Sequence, residues 1–449
     1  MHLRVVSEVP AGRWTTVQFL SKDKCSSLVP PPSKGEFSGS VGSLLADRAA
    51  EILHVGLGAE AEVDSAAVRS AAGCAALALR KRAQLRVVLD LRALPSFVEA
   101  AVEGLVLGDY RFETFLPKKT PALSALVVLV KKDALAAAKK ASKTGQVMAE
   151  AANAARQIAN LPGNLLYPET LATEAKAIAK RTGLKCKILD VKALQAGKFG
   201  GILAVGQGSA RGPRLISLEH AGGKKGEPPL VLVGKAITFD TGGVSIKPAA
   251  GMEDMIFDKC GGTAVLGAME AIAVLGLKKN VVGILAAAEN MPGANAYRPG
   301  DIITMRSGTT VEIVNTDAEG RMVLGDALHW AREHYKAGKI IDLATLTGAC
   351  GVALGESTAG VWTNNEAFQA EVLCSAKTAG ERVWPMPLHP EHAEKIRSQV
   401  ARIKNSGGRL GGACTAAAFL RVFVGETPWV HVDIAYTAHQ KKEARGLAT

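Results

Sequence analysis

Asn315-Thr316-Asp317-Ala318-Glu319-Gly320-Arg321 sets two carboxylates and a guanidinium within five positions, directly after the apolar, strand-like run Val311-Glu312-Ile313-Val314. A second polar cluster, Lys235, Asp240, Lys247 and Asp258, lies well upstream in another apolar, glycine-rich context. Three Asp, one Glu and two Lys have few reasons to gather in an apolar core other than metal-assisted chemistry. Converging carboxylates cannot all stay ionised in such a site without cations. Carboxylate-rich sites without His or Cys suit Mg²⁺, Mn²⁺ or, less typically, Zn²⁺. A bridging carboxylate pair sets two ions roughly 3.5 Å apart, the two-metal arrangement for hydrolysis. A Lys amine joins such a site only when neutral, a state that two nearby dications favour.

Taken singly, each residue has a plainer reading. Lys235 in a strand is a long stem reaching water. Asp240 before Thr-Gly-Gly is a turn former. Lys247, in Ser245-Ile246-Lys247-Pro248, is either a solvated loop lysine or a charge placed to stabilise an oxyanion. Arg321 pairs with Asp317 or Glu319. His329 and His220 stand alone and read as packed or surface histidines. Other motifs fail on spacing. Gly206 to Gly212 lacks the dinucleotide pattern, Gly234-Lys235 lacks the rest of a phosphate-binding loop, and Gly355-Glu356-Ser357-Thr358-Ala359 is not a nucleophile elbow.

The elements that must position these residues follow from periodicity. Strands are expected at Leu3–Val6, Trp14–Leu20, Leu85–Leu91 and Leu123–Val130, with a helix over Ala66–Arg82 and a loop at Pro30–Gly35. Ala134 to Asn160, rich in Ala and Lys, predicts a long helix that stops at Leu161-Pro162-Gly163-Asn164. Beyond Pro168 strands and helices alternate. Strands are expected at Gly201–Val205, Arg214–Leu218, Leu230–Phe239, Val281–Ala287, Thr310–Val314, Ile340–Leu346 and Trp429–Ile434. Helices are expected at Glu169–Arg181, Gly262–Leu275, Glu319–Tyr335 and Ala413–Phe423. Near-continuous apolar strands between helices predict an α/β fold with a mixed, mainly parallel sheet covered by helices. Both polar clusters then fall near the carboxyl ends of strands, where such sheets do chemistry. The expected domains are a smaller α/β domain over 1–133, a linker helix over 134–160 and a catalytic domain over 161–449.

Bulk properties narrow the class. With 449 residues the chain exceeds one ordinary core. It is 48% hydrophobic and 21% charged, a globular composition with no disordered signature. The net charge of +12 permits a nucleic-acid partner, but the basic pairs, from Lys118-Lys119 to Lys441-Lys442, are scattered, which favours a solvated surface. Seven widely spaced Cys without a C-x-x-C suggest reduced, buried thiols. The first residues lack a signal-type apolar core, no apolar run reaches membrane-spanning length, and the closing Gly-Leu-Ala-Thr is no targeting signal. The default expectation is the cytoplasm, without a membrane partner.

At the clustered residues the chain closely resembles the leucyl aminopeptidase family, the two-metal cytosolic aminopeptidases. The signature at 315–321 stands intact. The family's Gly-Lys-Gly-Ile-Thr-Phe-Asp-Ser-Gly-Gly segment appears at Gly234 to Gly243, with Ala236 and Thr241 as small departures. Ile246-Lys247-Pro248, Asp258 to Gly262, Ala344 to Ala349, Gly407-Gly408-Arg409 and Asp433-Ile434-Ala435 also fit. The likeness covers residues 160 to 440 and is loose in the N-terminal third.

The resemblance implies that Asp240, Asp317 and Glu319 hold one divalent ion, and that Lys235, Asp240, Asp258 and Glu319 hold the other. The ions would be Mn²⁺ or Zn²⁺, with Mg²⁺ or Co²⁺ as alternatives in one site. It implies that Lys247 polarises the scissile carbonyl, and that Arg321, with Leu346 and neighbouring backbone, holds a bicarbonate ion serving as base. Met255, Asn315, Thr345 and Gly348 fall where the family lines its substrate site. The implied activity is removal of N-terminal residues, leucine and other mainly apolar ones, from peptides by a metal-bridging hydroxide, in a homohexamer. Tyr436 stands where a small residue is usual, which narrows the expected side-chain pocket. The competing readings are another two-metal hydrolase, such as a phosphoesterase, which needs no free amine, and a DNA-binding protein, which the charge permits.

Overall fold

The structure, a computed structural model, describes residues 1–28 and 36–440. The expected loop Pro30–Gly35, Lys441-Lys442 and the closing Gly-Leu-Ala-Thr lie outside the described residues. The chain divides into two compact units, Met1–Asn153 and Ala154–His439, so the division falls inside the helix Leu135–Ala159.

The first unit is built on a six-stranded sheet. Its order is His2–Val6, Ala125–Leu129, Arg86–Asp90, Thr15–Leu20, Ile52–Gly56 and Leu44–Asp47, parallel except for the last pair. Ser65–Lys81 forms a helix because Asp64 caps it, accepting from the Ala67 N–H at 2.8 Å, while its alanines bury one face. The strands Leu44–Asp47 and Ile52–Gly56 and the helix Val98–Asp109 add to what the periodicity predicts.

The second unit carries an eight-stranded sheet. The order is Val383–Pro385, Ala359–Thr363, Trp429–Asp433, Lys339–Ala344, Leu230–Asp240, Asn280–Asn290, Arg214–Ala221 and Lys185–Leu189. The four strands from Trp429–Asp433 to Asn280–Asn290 are parallel neighbours, and antiparallel strands flank them. The two central 11-residue strands are apolar nearly throughout, as strands covered on both faces must be. Alternation then assigns faces. Val231, Val233 and Ile237 join the core with the helix Glu319–Tyr335. Leu232 and Ala236 join the core with the helix Cys260–Leu275. Lys235 belongs by period to the first set, so the strand delivers its amine towards Glu319.

Two expectations need correction. Gly201–Val205 is not a strand but part of the helix Gly200–Gly206. A short apolar run has no period to separate strand from helix, and the buried Asp326 carboxylate settles it by accepting the Ile202 N–H at 3.0 Å. The expected strand Thr310–Val314 ends at Glu312 and leaves the main sheet. It pairs antiparallel with Ile302–Thr304 and parallel with Ile403–Lys404 in a small sheet of three strands.

Candidate metal centre

Four stretches of chain converge at the carboxyl ends of the central strands. Asp240 is the last residue of its strand, and the chain turns away at Gly242, whose φ of 83° suits a residue without a side chain. The turn is fastened to the carboxylate it follows. The Gly242 N–H donates to Asp240 Oδ1 at 2.9 Å, and Asn290 Nδ2 donates to the same oxygen at 2.8 Å. Asp258 is the next-to-last residue of a 3-10 helix, Met252–Lys259, just before the helix Cys260–Leu275. Asp317 lies in a turn held by Asn315, whose Oδ1 accepts the Asp317 N–H at 2.9 Å. Glu319 opens the helix Glu319–Tyr335, where the positive end of the helix favours an acid.

The lysines occupy the middle of this group. Lys235 Nζ lies 2.8 Å from Asp258 Oδ1 and 2.7 Å from Glu319 Oε1, and donates to the Thr345 carbonyl at 2.9 Å. Lys247 Nζ lies 2.8 Å from Asp240 Oδ2 and pairs closely with Asp317. Thr345 Oγ1 donates to Asp258 Oδ1 at 2.7 Å. Burial opposes the charge on Lys235, but Asp258, Glu319 and Asp240 outweigh it and hold the ammonium well above its ordinary value. Lys247 is likewise raised, burial again being overcome by Asp240, Glu319 and Asp317. Asp258 and Asp317 are pushed up by burial and by the carboxylates beside them, with Lys235 and Lys247 opposing.

This donor set fits divalent cations. Ligand oxygens of Asp240, Asp317 and Glu319 lie within 4.8 Å of one another. Asp258 Oδ2 is buried without a hydrogen-bond partner. Four carboxylates against two ammonium groups leave the cluster short of positive charge, and hard oxygen donors suit Mn²⁺, Mg²⁺ or Zn²⁺. Lys235 would become a ligand only by losing its proton, so metal uptake there would be coupled to proton release.

The remaining expected site residues lie on segments that carry this cluster or bond to it. Arg321 is buried in the first turn of the helix, and its Nη1 donates to the Asn405 carbonyl at 2.8 Å. Its Nε is buried without a partner, and burial lowers the guanidinium to about 10 against the pull of Glu319 and Asp433. An orphaned, buried cationic donor suits a small anion. Gly348 starts the helix Gly348–Leu354, with open space where a side chain would be. Met255 sits half-buried on the 3-10 helix that carries Asp258. The Leu346 N–H donates to Asp433 Oδ1 at 3.2 Å, so a second anion there would share it. His220 meets the Leu277 carbonyl and takes no part.

Several supporting residues escape sequence reasoning. Asn290 also donates to the Thr316 carbonyl, at 3.1 Å, and Tyr297 donates to that same carbonyl at 2.8 Å. Asn405 Oδ1 accepts the Val314 N–H at 2.9 Å, and its Nδ2 donates to the Asn315 carbonyl at 2.7 Å. Lys259 is fully buried, and its ammonium donates to the carbonyls of Leu161, at 3.0 Å, and Ile256. The one signal for Asn290 is a polar residue closing a long apolar strand. For Asn405 and Lys259 the sequence carries none.

Residues 153–449 match the cytosol aminopeptidase family, catalytic domain, and residues 25–119 match that family's N-terminal domain. A probable cytosol aminopeptidase of Syntrophotalea carbinolica is 44% identical over 415 residues, 89% of this chain and 82% of the relative. One from Pseudomonas syringae pv. syringae is 44% identical over 448 residues, 96% of this chain and 90% of the relative. Among solved structures, the bottromycin maturation enzyme BotP superposes with a TM-score of 0.85 at 32% identity, over 96% of this chain and 94% of that chain, and the same figures hold for its complex with Mn. Among the described residues no helix is long and apolar enough to cross a membrane.

Proposed function

The chain belongs to the cytosol aminopeptidase family and is a metal-dependent exopeptidase, and we propose that it removes leucine and other mainly apolar residues from the N-termini of peptides at a two-ion centre. The observation that carries this reading is the convergence of Asp240, Asp258, Asp317 and Glu319 around Lys235 and Lys247. Asp240, Asp317 and Glu319 would hold one ion, and Lys235, Asp240, Asp258 and Glu319 the other. When bound, the ions supply Lewis acidity that activates water and polarises the scissile carbonyl. The relative solved with Mn supports Mn²⁺ as one candidate, beside Zn²⁺.

The chain's own residues do the rest. Lys247 stays cationic at neutral pH because Asp240, Glu319 and Asp317 outweigh its burial. It is partly exposed on the open side of the cluster, where a substrate carbonyl would arrive, and its ammonium donates to the oxygen that gains charge. Arg321, with an unpartnered Nε, would hold a bicarbonate ion beside Glu319, and the bound anion would supply a base for the attacking water. Thr345 and the space over Gly348 seat the substrate backbone and first side chain, with Met255 and Asn315 on the flanks. We further propose a homohexamer in the cytoplasm as the working form.

The test is hydrolysis of leucine amide and of its N-acetyl derivative by protein stripped of metal and resupplied with Mn²⁺ or Zn²⁺. Metal-dependent cleavage of the free-amine substrate alone is expected. Cleavage of a phosphate ester instead, with no need of a free amine, would overturn the reading.

A further inference from the structure

Asp433 closes the strand Trp429–Asp433, beside Ala344 of the neighbouring parallel strand, and its carboxylate is 1% exposed. Oδ1 accepts N–H groups from Leu346 at 3.2 Å, Thr347 at 3.4 Å and Ala435 at 3.1 Å. Oδ2 accepts the Thr347 hydroxyl at 2.7 Å. All of these hydrogen-bond donors are neutral, with His431 and Arg321 adding attraction of charge. Thr347 Oγ1 in turn accepts the Cys350 N–H at 3.1 Å and so caps the helix Gly348–Leu354.

Residues 345–347 run between the end of one strand and the start of that helix, with no ladder of their own. Their other attachment is the metal centre. The Thr345 carbonyl accepts from Lys235 Nζ, and the Thr345 hydroxyl donates to Asp258. The segment is therefore strung between Asp433 at one end and two proposed metal ligands at the other. It also opens onto the vacant space above Gly348. Plain helix capping needs Thr347 alone. It does not need a buried carboxylate that gathers two successive backbone amides and the hydroxyl of the cap itself.

We propose that Asp433 is a positioning residue for the peptidase reaction, holding the Leu346–Thr347 backbone so that Thr345 and Gly348 stay in register with the metal ligands. This rests on the reading of residues 345–348 as a wall of the peptide site. It predicts that hydrogen-bonded geometry at residue 433 matters, and that its negative charge matters less. Asparagine separates the two. Its carbonyl oxygen can take the backbone N–H groups while its amide donates to Thr347 Oγ1.

The experiment compares Asp433→Ala and Asp433→Asn in the full chain, with metal content, steady-state kinetics on leucine amide and amide hydrogen exchange over residues 345–351. Misplacing a substrate-positioning segment slows reaction by about 100-fold, so Asp433→Ala should lose about that in kcat/KM, mostly in kcat, with metal content retained. Asp433→Asn should recover to within about tenfold of the parent. Exchange should quicken in the alanine variant and not in the asparagine variant. Turnover of Asp433→Ala close to that of the parent would overturn the proposal, and so would an asparagine variant as slow as the alanine one. If Asp433→Ala fails to fold, Thr347→Val removes the Oδ2 contact together with the Cys350 cap, leaves the Oδ1 contacts in place, and should give a smaller loss in the same direction. No loss in Thr347→Val would then overturn it. Exchange is read without turnover, so unchanged protection in Asp433→Ala rejects the proposal even if the parent cleaves no peptide, a result that by itself would reject only the peptidase reading.

Discussion

Gly320 lies so close to Lys235 that a Cβ built on it would sit 2.7 Å from Nζ and 2.8 Å from both Cδ and Cε. The glycine of the 315–321 signature is therefore the floor over which the lysine stem passes. A Cβ there would force the lysine stem to shift from the place where its amine meets Asp258 and Glu319.

Gly320→Ala should push Lys235 out of that fork. Alanine is the better helix former by about 1 kcal/mol, so the helix itself is not weakened. Turnover should fall by about 10- to 100-fold while the melting temperature holds. Kinetics paired with a thermal melt decide it, and parent-like turnover would show that Lys235 is not needed where it stands.

Asp258→Ala should abolish metal occupancy at the ion it shares with Lys235, and activity with it. The fold should survive, because Asp258 serves the cluster and not the hydrophobic core. Metal analysis and circular dichroism are the checks. Retained turnover would remove Asp258 from the ligand set.

Lys247→Ala should lower kcat by about 10²- to 10³-fold, the usual cost of one oxyanion donor, with both ions still bound. If the ions are lost instead, Lys247 is a structural counter-charge to Asp240 and Asp317 and no catalyst.

Metal affinity should rise with pH. The Asp258, Glu319 and Asp240 carboxylates outweigh burial and hold Lys235 protonated beyond its ordinary value, whereas a ligand amine must be neutral. Each ion captured by Lys235 therefore expels a proton, and acidification opposes binding. Calorimetry in buffers of different ionisation enthalpy counts that proton. Finding none released would rule Lys235 out as a ligand.

In the first unit, burial lowers His54 against the pull of Asp47, and its Nδ1 has no hydrogen-bond partner. The folded value lies below the unfolded one, so the stability linked to this group is complete above about pH 6.5 and is lost as pH falls below it. Melting at pH 7.5 and pH 5.5 should show the drop, and His54→Gln should shrink it. An equal drop in the variant would assign the effect elsewhere.

The candidate metal centre was legible because its polar residues sit in short linear stretches whose chemistry has few other uses. Asp317, Glu319 and Arg321 share one turn and helix start, and Lys235 and Asp240 share one strand end. The architecture was legible where apolar runs were long, as at 230–240 and 280–290. It failed at 201–205, where five residues carry no period and a distant Asp326 decides, and at 310–314, where the partners are two short strands, Ile302–Thr304 and Ile403–Lys404. Asn290, Asn405, Lys259 and Asp433 could not be read as a set. Each is a single polar residue whose meaning comes from contacts made across tens of residues of chain.

Asn405 grips Val314 across 91 positions of sequence, and Arg321 across 84. A chain leaving the ribosome exposes Asp240, Asp258, Asp317 and Glu319 well before Asn405 and Asp433 are made, because synthesis runs from the N-terminus. Until then the signature turn lacks its clamp and the 345–347 segment its anchor. The nascent polypeptide thus carries every proposed acidic ligand before the contacts that fix them exist. With Asp433 as the positioning residue proposed above, competence to cut other chains would arrive only with the strand Trp429–Asp433.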